Sequence, residues 1–101
     1  MSETVEKLVK TIRSRKDSDI KSSYTALLLS KGNDHCLNKL KEEMAELEDA
    51  IKNKKNIAYE AADVIYHLLV TLESAGINFD DIMKELKKRE GISGLEEKKN
   101  R

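Results

Sequence analysis

Apolar residues recur along this chain at steps of three and four, the spacing of one face of an α-helix, in five separate segments. The first covers residues 3–16 and sets Val5, Leu8, Val9 and Ile12 on one side. A polar stretch at residues 17–23 follows. Its serines are good N-caps for a short helix over residues 24–30, which Gly32 stops. Asn33 or Asp34 is then expected to cap a long helix reaching residue 52, whose Leu37, Leu40, Met44, Leu47 and Ile51 form a seam for packing against another helix. Residues 53–56 (Asn-Lys-Lys-Asn) break the pattern. It resumes over residues 57–74, ends at Gly76, and returns in a last helix over residues 81–89, with Asp80 as the expected cap and Ile82, Leu86 and Met83 turned inward. Beyond Gly91 the chain is polar and glycine-punctuated. The reading is therefore a single domain over residues 1–101, with a core at 5–89 and a flexible tail at 90–101. No two-residue period competes, so the expected class is all-α, with the two longest helices in an antiparallel hairpin.

Composition narrows the partners. At 101 residues the chain is one small domain with a limited core, which invites support from a second copy. The formal net charge is zero, so no general attraction to nucleic acid or acidic membranes is expected, and an anionic ligand must be held by local charge. The single Cys36 excludes an internal disulfide and suits a reducing compartment. One cysteine and two histidines give no structural zinc spacing; adjacent His35 and Cys36 point about 100° apart on a helix and chelate poorly. The N-terminal residues lack the apolar core of a secretory signal, and no run is long enough to span a bilayer. A soluble, cytoplasmic protein with no membrane partner is expected.

Four carboxylates carry the chemistry. Glu43 and Glu46 lie one turn apart on the long helix, Glu60 and Asp63 one turn apart on the next, so each pair shares a face. Residues 57–72 (IAYEAADVIYHLLVTL) are apolar almost all round, the mark of a buried helix. Ionised carboxylates in such a helix are costly unless a cation meets them. On a helical wheel Lys39, Glu43 and Glu46 fall within about 60° of one another beside the Leu/Met/Ile seam, while Glu42 and Asp49 lie further toward solvent. Glu60, Asp63 and His67 make one stripe. Packed as a hairpin, the two acidic stripes face each other and form an oxygen-rich site suited to Mg²⁺, with Mn²⁺ as a substitute. Lys39 can neutralise the cluster or bind a phosphate.

Plainer readings stand beside this one. Acids at this spacing on a lysine-rich helix also describe a solvated face with local ion pairs, and Glu60 and Asp63 could be paired with lysines. His67 reads as a hydrogen-bonded core histidine, and Tyr59 and Tyr66 as packing residues with a hydroxyl near the rim.

The segment Glu42-Glu43-x-x-Glu46, thirteen residues, then Glu60-x-x-Asp63, resembles the metal motif of the all-α MazG-like nucleotide pyrophosphohydrolases. The flanking text is more specific. Ser23-Tyr24-Thr25-Ala26 with Leu28 and Lys31-Gly32 resembles the SYTA-x-L signature of the phosphoribosyl-ATP pyrophosphohydrolase family, and Glu60-Ala61-Ala62-Asp63 running into Tyr66-His67-Leu68-Leu69-Val70 is similar to that family's second helix. Ile12-x-x-Arg15-Lys16, and Gly76-Ile77 with Asp80-Asp81, also fit. One departure is visible: Lys41 stands where the family has a glycine. On the wheel it lies about 160° from Glu43 and points away from the acids.

The resemblance implies a MazG-like fold in which the hairpin completes a four-helix bundle in a homodimer. It also implies Mg²⁺-dependent hydrolysis of phosphoribosyl-ATP to phosphoribosyl-AMP and pyrophosphate, the second step of histidine biosynthesis. Glu43, Glu46, Glu60 and Asp63 would hold the metal, and Glu42 or Glu46 would serve as base. Lys39 and Lys31 would contact phosphates, Arg15 and Lys16 with less support, and Tyr24 and Thr25 would shape the pocket. The zinc-binding cysteines of a fused cyclohydrolase are absent from this sequence, so a stand-alone enzyme is expected. Two other readings remain open: a house-cleaning (d)NTP pyrophosphohydrolase using the same acids, and a non-catalytic helical dimerisation module.

Overall fold

The structure, a computed structural model, describes residues 2–91 and 94–99. Those residues form six α-helices and no strand: α1 (Ser2–Ser14), α2 (Tyr24–Lys31), α3 (Asn33–Asn53), α4 (Ile57–Ser74), α5 (Phe79–Lys88) and α6 (Gly94–Lys99). Of all helix pairs, α3 and α4 pack together most extensively. Only residues 54–56 join them, too few to carry the chain back for a parallel pairing, so the two run antiparallel as the periodicity predicts. Of the tail at residues 90–101, Glu90 and Gly91 are described and Gly94–Lys99 form α6, while Ile92, Ser93, Asn100 and Arg101 lie outside the described residues.

Two left-handed residues close the hairpin, Lys54 (φ 54°) and Asn56 (φ 57°). Asparagine tolerates this region; for lysine the clash of Cβ with the backbone costs about 1 kcal/mol. The backbone N–H of Lys54 donates to the Ala50 and Ile51 carbonyls, and that of Lys55 donates to Ala50 at 3.0 Å. These bonds satisfy the last carbonyls of α3 and hold Lys55 at a defined place beside its final turn.

The caps depart in part from expectation. Ser23 does cap α2, its hydroxyl accepting from the Ala26 N–H at 3.1 Å. Gly32, rather than Asn33 or Asp34, both ends α2 and begins α3; its φ of 89° and ψ of 178° lie in a region open only to glycine. Asn33 sits inside α3 instead, and its side chain accepts from the Ser74 hydroxyl at 2.6 Å, tying the two ends of the hairpin helices together. Asn78, not Asp80, caps α5, accepting from the Asp80 N–H at 2.9 Å.

The core lies at one end of the hairpin. Ile12, Leu28, Cys36, Leu69 and Val70 are buried together, with Val5, Leu8, Val9, Leu29, Tyr66 and Phe79 packed around them. Their polar neighbours are satisfied: the Cys36 thiol donates to the Leu28 carbonyl, and the Thr71 hydroxyl to His67 and Cys36 carbonyls. The other half of the hairpin projects beyond this core. The radius of gyration, 15.6 Å, exceeds the roughly 13 Å of a compact chain this long.

That projection corrects one expectation. The first half of α4 is not buried within the chain: Ile57 is 41% exposed, Tyr59 69% and Ile65 47%. The α3 seam is likewise uncovered, with Met44 and Ile51 each 54% exposed. Met44, Leu47, Ile51 and Val64, flanked by Glu48 and Lys52, line a groove of about 380 Å³ along this face. An apolar helix surface has only α3, α2 and α1 to lie against in one copy, and they cover one side of it.

Candidate active site

Glu43 and Asp63 face each other across the hairpin near its middle, and Glu46 and Glu60 lie one turn closer to its tip. One oxygen each from Glu43, Glu60 and Asp63 lies within 4.8 Å of the others. The Glu43 side chain is only 14% exposed, and its Oε2 is buried with no hydrogen-bond partner among the described residues. A buried acceptor left unpaired costs on the order of 1–3 kcal/mol, and more when charged. A cluster of hard oxygens with an orphaned member fits a divalent cation of the Mg²⁺ type. Glu46 is exposed at the edge, outside the closest trio but near enough for its charge to act on Glu43 and Glu60.

The electrostatics follow from this crowding. Burial, followed by the Glu46 carboxylate and the charges of Asp63 and Glu60, pushes the Glu43 carboxyl up to about 7. Glu60 is also raised, by desolvation and then by Glu46 and Asp63. His67 is buried behind the cluster with Nε2 3.8 Å from Glu43 Oε1, and burial lowers its pKa. Near neutral pH without metal, the imidazole is thus neutral and Glu43 holds a proton part of the time. The contact is then not a full ion pair.

On the core side of the acids, aromatic rings form a wall. Tyr24 and Tyr66 stack with centroids 6.5 Å apart, and His67 meets the two edge-on at 6.1 and 5.0 Å. Thr25 and Tyr66 share a hydroxyl–hydroxyl hydrogen bond of 2.5 Å that ties α2 to α4. Lys39 stands above this wall, its pKa raised by Tyr24 and then by Glu42, to which it is ion-paired at 3.4 Å. Glu42 is therefore held outward by Lys39. Arg15 and Lys31 are exposed and form no ion pair among the described residues.

On the tip side lies an open cleft of about 310 Å³ with a mixed polar and apolar lining, formed by Glu46, Asp49, Ala50, Asn53, Lys55, Asn56 and Glu60. The last turn of α3 and the left-handed loop build it. Sequence reasoning passes over Asn53, Lys55 and Asn56 because they fall where the helical period stops, and a break in a pattern says nothing of which way its side chains turn. His67, expected on one stripe with Glu60 and Asp63 and chiefly as a core residue, is buried in the structure with Nε2 close to Glu43.

Antiparallel helices presenting converging carboxylates, with an aromatic wall on one side and an open cleft on the other, define an all-α protein with an acidic cluster, able to accept a divalent cation, in the cleft of a helical hairpin. The chain belongs to the phosphoribosyl-ATP pyrophosphohydrolase family, whose model matches residues 5–90. It is 47% identical, over 94% of its own length and 90% of the relative's, to the phosphoribosyl-ATP pyrophosphatase of Dechloromonas aromatica (strain RCB). Identity to the phosphoribosyl-ATP pyrophosphatase of Rhodobacter capsulatus is 44%, covering 91% of each chain. The chain is also 46% identical, over 96% of its length, to the histidine biosynthesis bifunctional protein HisIE of Wolinella succinogenes, of which it spans 43%.

Proposed function

We propose that this chain hydrolyses phosphoribosyl-ATP to phosphoribosyl-AMP and pyrophosphate, the second step of histidine biosynthesis, with Mg²⁺ held by Glu43, Glu46, Glu60 and Asp63. Family membership supports the reaction, and the orphaned, buried Glu43 oxygen within the acidic trio is the observation that carries the metal. When bound, the cation supplies Lewis-acid charge to the phosphate oxygens of the anhydride.

The protein's own residues do the rest. The Tyr24–Tyr66 stack offers an apolar face beside the acids on which a purine can lie, and Lys39 beside it meets phosphate charge. Glu46, exposed at the cluster's edge, is the acid placed to take a proton from the attacking water as its oxygen bonds to phosphorus and the α–β anhydride opens. Glu42 is the less favourably placed candidate, because its carboxylate is ion-paired to Lys39. His67 keeps the back of Glu43 closed to solvent.

The test is pyrophosphate release with Mg²⁺ from phosphoribosyl-ATP and from a panel of dNTPs. Phosphoribosyl-ATP is expected to turn over at least tenfold faster in kcat/KM, about 1.4 kcal/mol of discrimination. Faster turnover of any dNTP overturns the substrate and leaves a house-cleaning pyrophosphohydrolase.

The same reading makes the protein a homodimer across the exposed Met44, Leu47 and Ile51 face, whose apolar groove and extended hairpin both ask for a covering partner. Sedimentation is expected to give twice the chain mass for the wild type and a single chain mass for Ile51→Lys. A wild-type monomer at micromolar concentration would end this assignment.

No described helix is long and apolar enough to cross a membrane.

A further inference from the structure

We infer that the open cleft at the hairpin tip is the seat of the substrate's pyrophosphate end, with Lys55 as its phosphate-binding cation and Asn53 and Asn56 as its amide donors. This rests on the phosphoribosyl-ATP reading and gives the cleft a direction.

The cavity is continuous with the acids, since Glu46 and Glu60 belong to both. Its volume of about 310 Å³ is lined by amides, carboxylates, one lysine and Ala50, with no aromatic ring among the described residues. The opposite side of the same acids carries the Tyr24, Tyr66 and His67 rings. Phosphoribosyl-ATP carries its triphosphate on one side of the purine and its phosphoribosyl group on the other, and the rings and the charged cleft on opposite sides of the acids favour one placement of the purine and triphosphate. The base lies against the rings, the scissile anhydride over the carboxylates, and the departing phosphates toward the tip. A reversed pose would set the purine among charged groups and leave the triphosphate only Lys39 beside the tyrosines.

Charge sharpens the point. Glu46, Asp49 and Glu60 face the cavity, and Lys55 is its one cation among the described residues, so without metal it carries a net negative charge and repels phosphate. A dication on the shared acids cancels that excess, and the cavity then admits pyrophosphate as the metal complex. The Lys55 ammonium is not committed elsewhere. It has no ion pair among the described residues, whereas its neighbour Lys52 is bound to Glu48 at 2.7 Å. The strained turn at Lys54 and the bond from Lys55 N–H to Ala50 hold its backbone where the side chain lines the cavity. Asn56 makes no side-chain capping bond to α4, which leaves its amide available.

Calorimetric titration of the full chain in Mg²⁺ with pyrophosphate, AMP and ribose 5-phosphate tests the assignment. Lys55→Ala is expected to weaken pyrophosphate about tenfold, the loss of one charge-assisted hydrogen bond, and to leave AMP within twofold. Asn53→Ala is expected to move the same ligand in the same direction, and Lys84→Ala, removing an exposed lysine of α5, to move neither. Chelation with EDTA is expected to abolish pyrophosphate binding in the wild type. Unchanged pyrophosphate affinity in Lys55→Ala overturns the inference, as does a loss confined to AMP or ribose 5-phosphate. If that null result comes with normal phosphoribosyl-ATP turnover, the proposed function survives and only the direction of the substrate falls. If the wild type neither binds pyrophosphate nor turns over phosphoribosyl-ATP, the functional reading itself is what has failed.

Discussion

Asp63→Asn and Glu60→Gln are each expected to reduce phosphoribosyl-ATP turnover about a thousandfold while leaving the protein folded, the scale seen when a preorganised charge is removed from a transition state. Both side chains keep their shape and lose their charge. The acidic trio then holds a dication less well, and the remaining carboxylates repel each other less. Melting in metal-free buffer should stay level or rise. Glu42→Gln should cost under tenfold, because that carboxylate is exposed and already engaged by Lys39. The opposite pattern, a fall in melting temperature of several degrees with specific activity of the folded fraction preserved, would mean that these acids are structural ion-pair partners and the metal assignment is wrong.

Without metal, wild-type stability should fall relative to Glu43→Gln as pH rises from about 4.5 to 7, by about 2–3 kcal/mol. The sign follows from proton binding. The unfolded chain releases the Glu43 proton near the ordinary 4.5, whereas the folded chain keeps it until about 7. Between these values the native state binds more protons, so raising the pH favours unfolding. Above 7 the loss is complete and the gap is constant. Glu60, also raised, adds in the same direction, while His67, whose pKa burial lowers, opposes it at the acidic end. Comparing the two proteins cancels the His67 contribution to first order. At pH 8 the variant should melt on the order of 10 °C above the wild type in EDTA, given 4–8 °C per kcal/mol for a domain of this size. Millimolar Mg²⁺ should recover much of the wild-type deficit and little in the variant, since the ion binds the ionised site. Identical pH profiles for the two proteins would show that Glu43 is solvated rather than crowded.

The helices were legible because their signal is local. A three-and-four apolar period with glycine at its ends needs no knowledge of the neighbours, and α4 runs over the expected residues 57–74. Caps were less legible. Gly32, Asn33 and Asp34 are all acceptable starts for a helix, and only the Gly-only backbone angles and the Asn33–Ser74 bond select among them. Two carboxylates one turn apart announce a shared face, so the four acids could be named in advance. Their meeting could not. The closeness of Glu43, Glu60 and Asp63, with Glu46 left at the rim, depends on how α3 and α4 rotate against each other.

Hydrophobic periodicity and residue type were thus enough for an all-α hairpin, for its acidic faces and, through the motifs around Tyr24 and Glu60, for the family. Burial of the first half of α4 does not follow from that pattern, because an apolar helix reads the same whether its cover is its own chain or another. Folding decided the rest. It put the core at one end and left the hairpin projecting, it pressed His67 behind Glu43, and it turned Lys55 into a cavity beside Glu46 and Glu60. Those outcomes join residues tens of positions apart or hang on one left-handed turn. Charge and solvent act across such distances only after the chain has closed them.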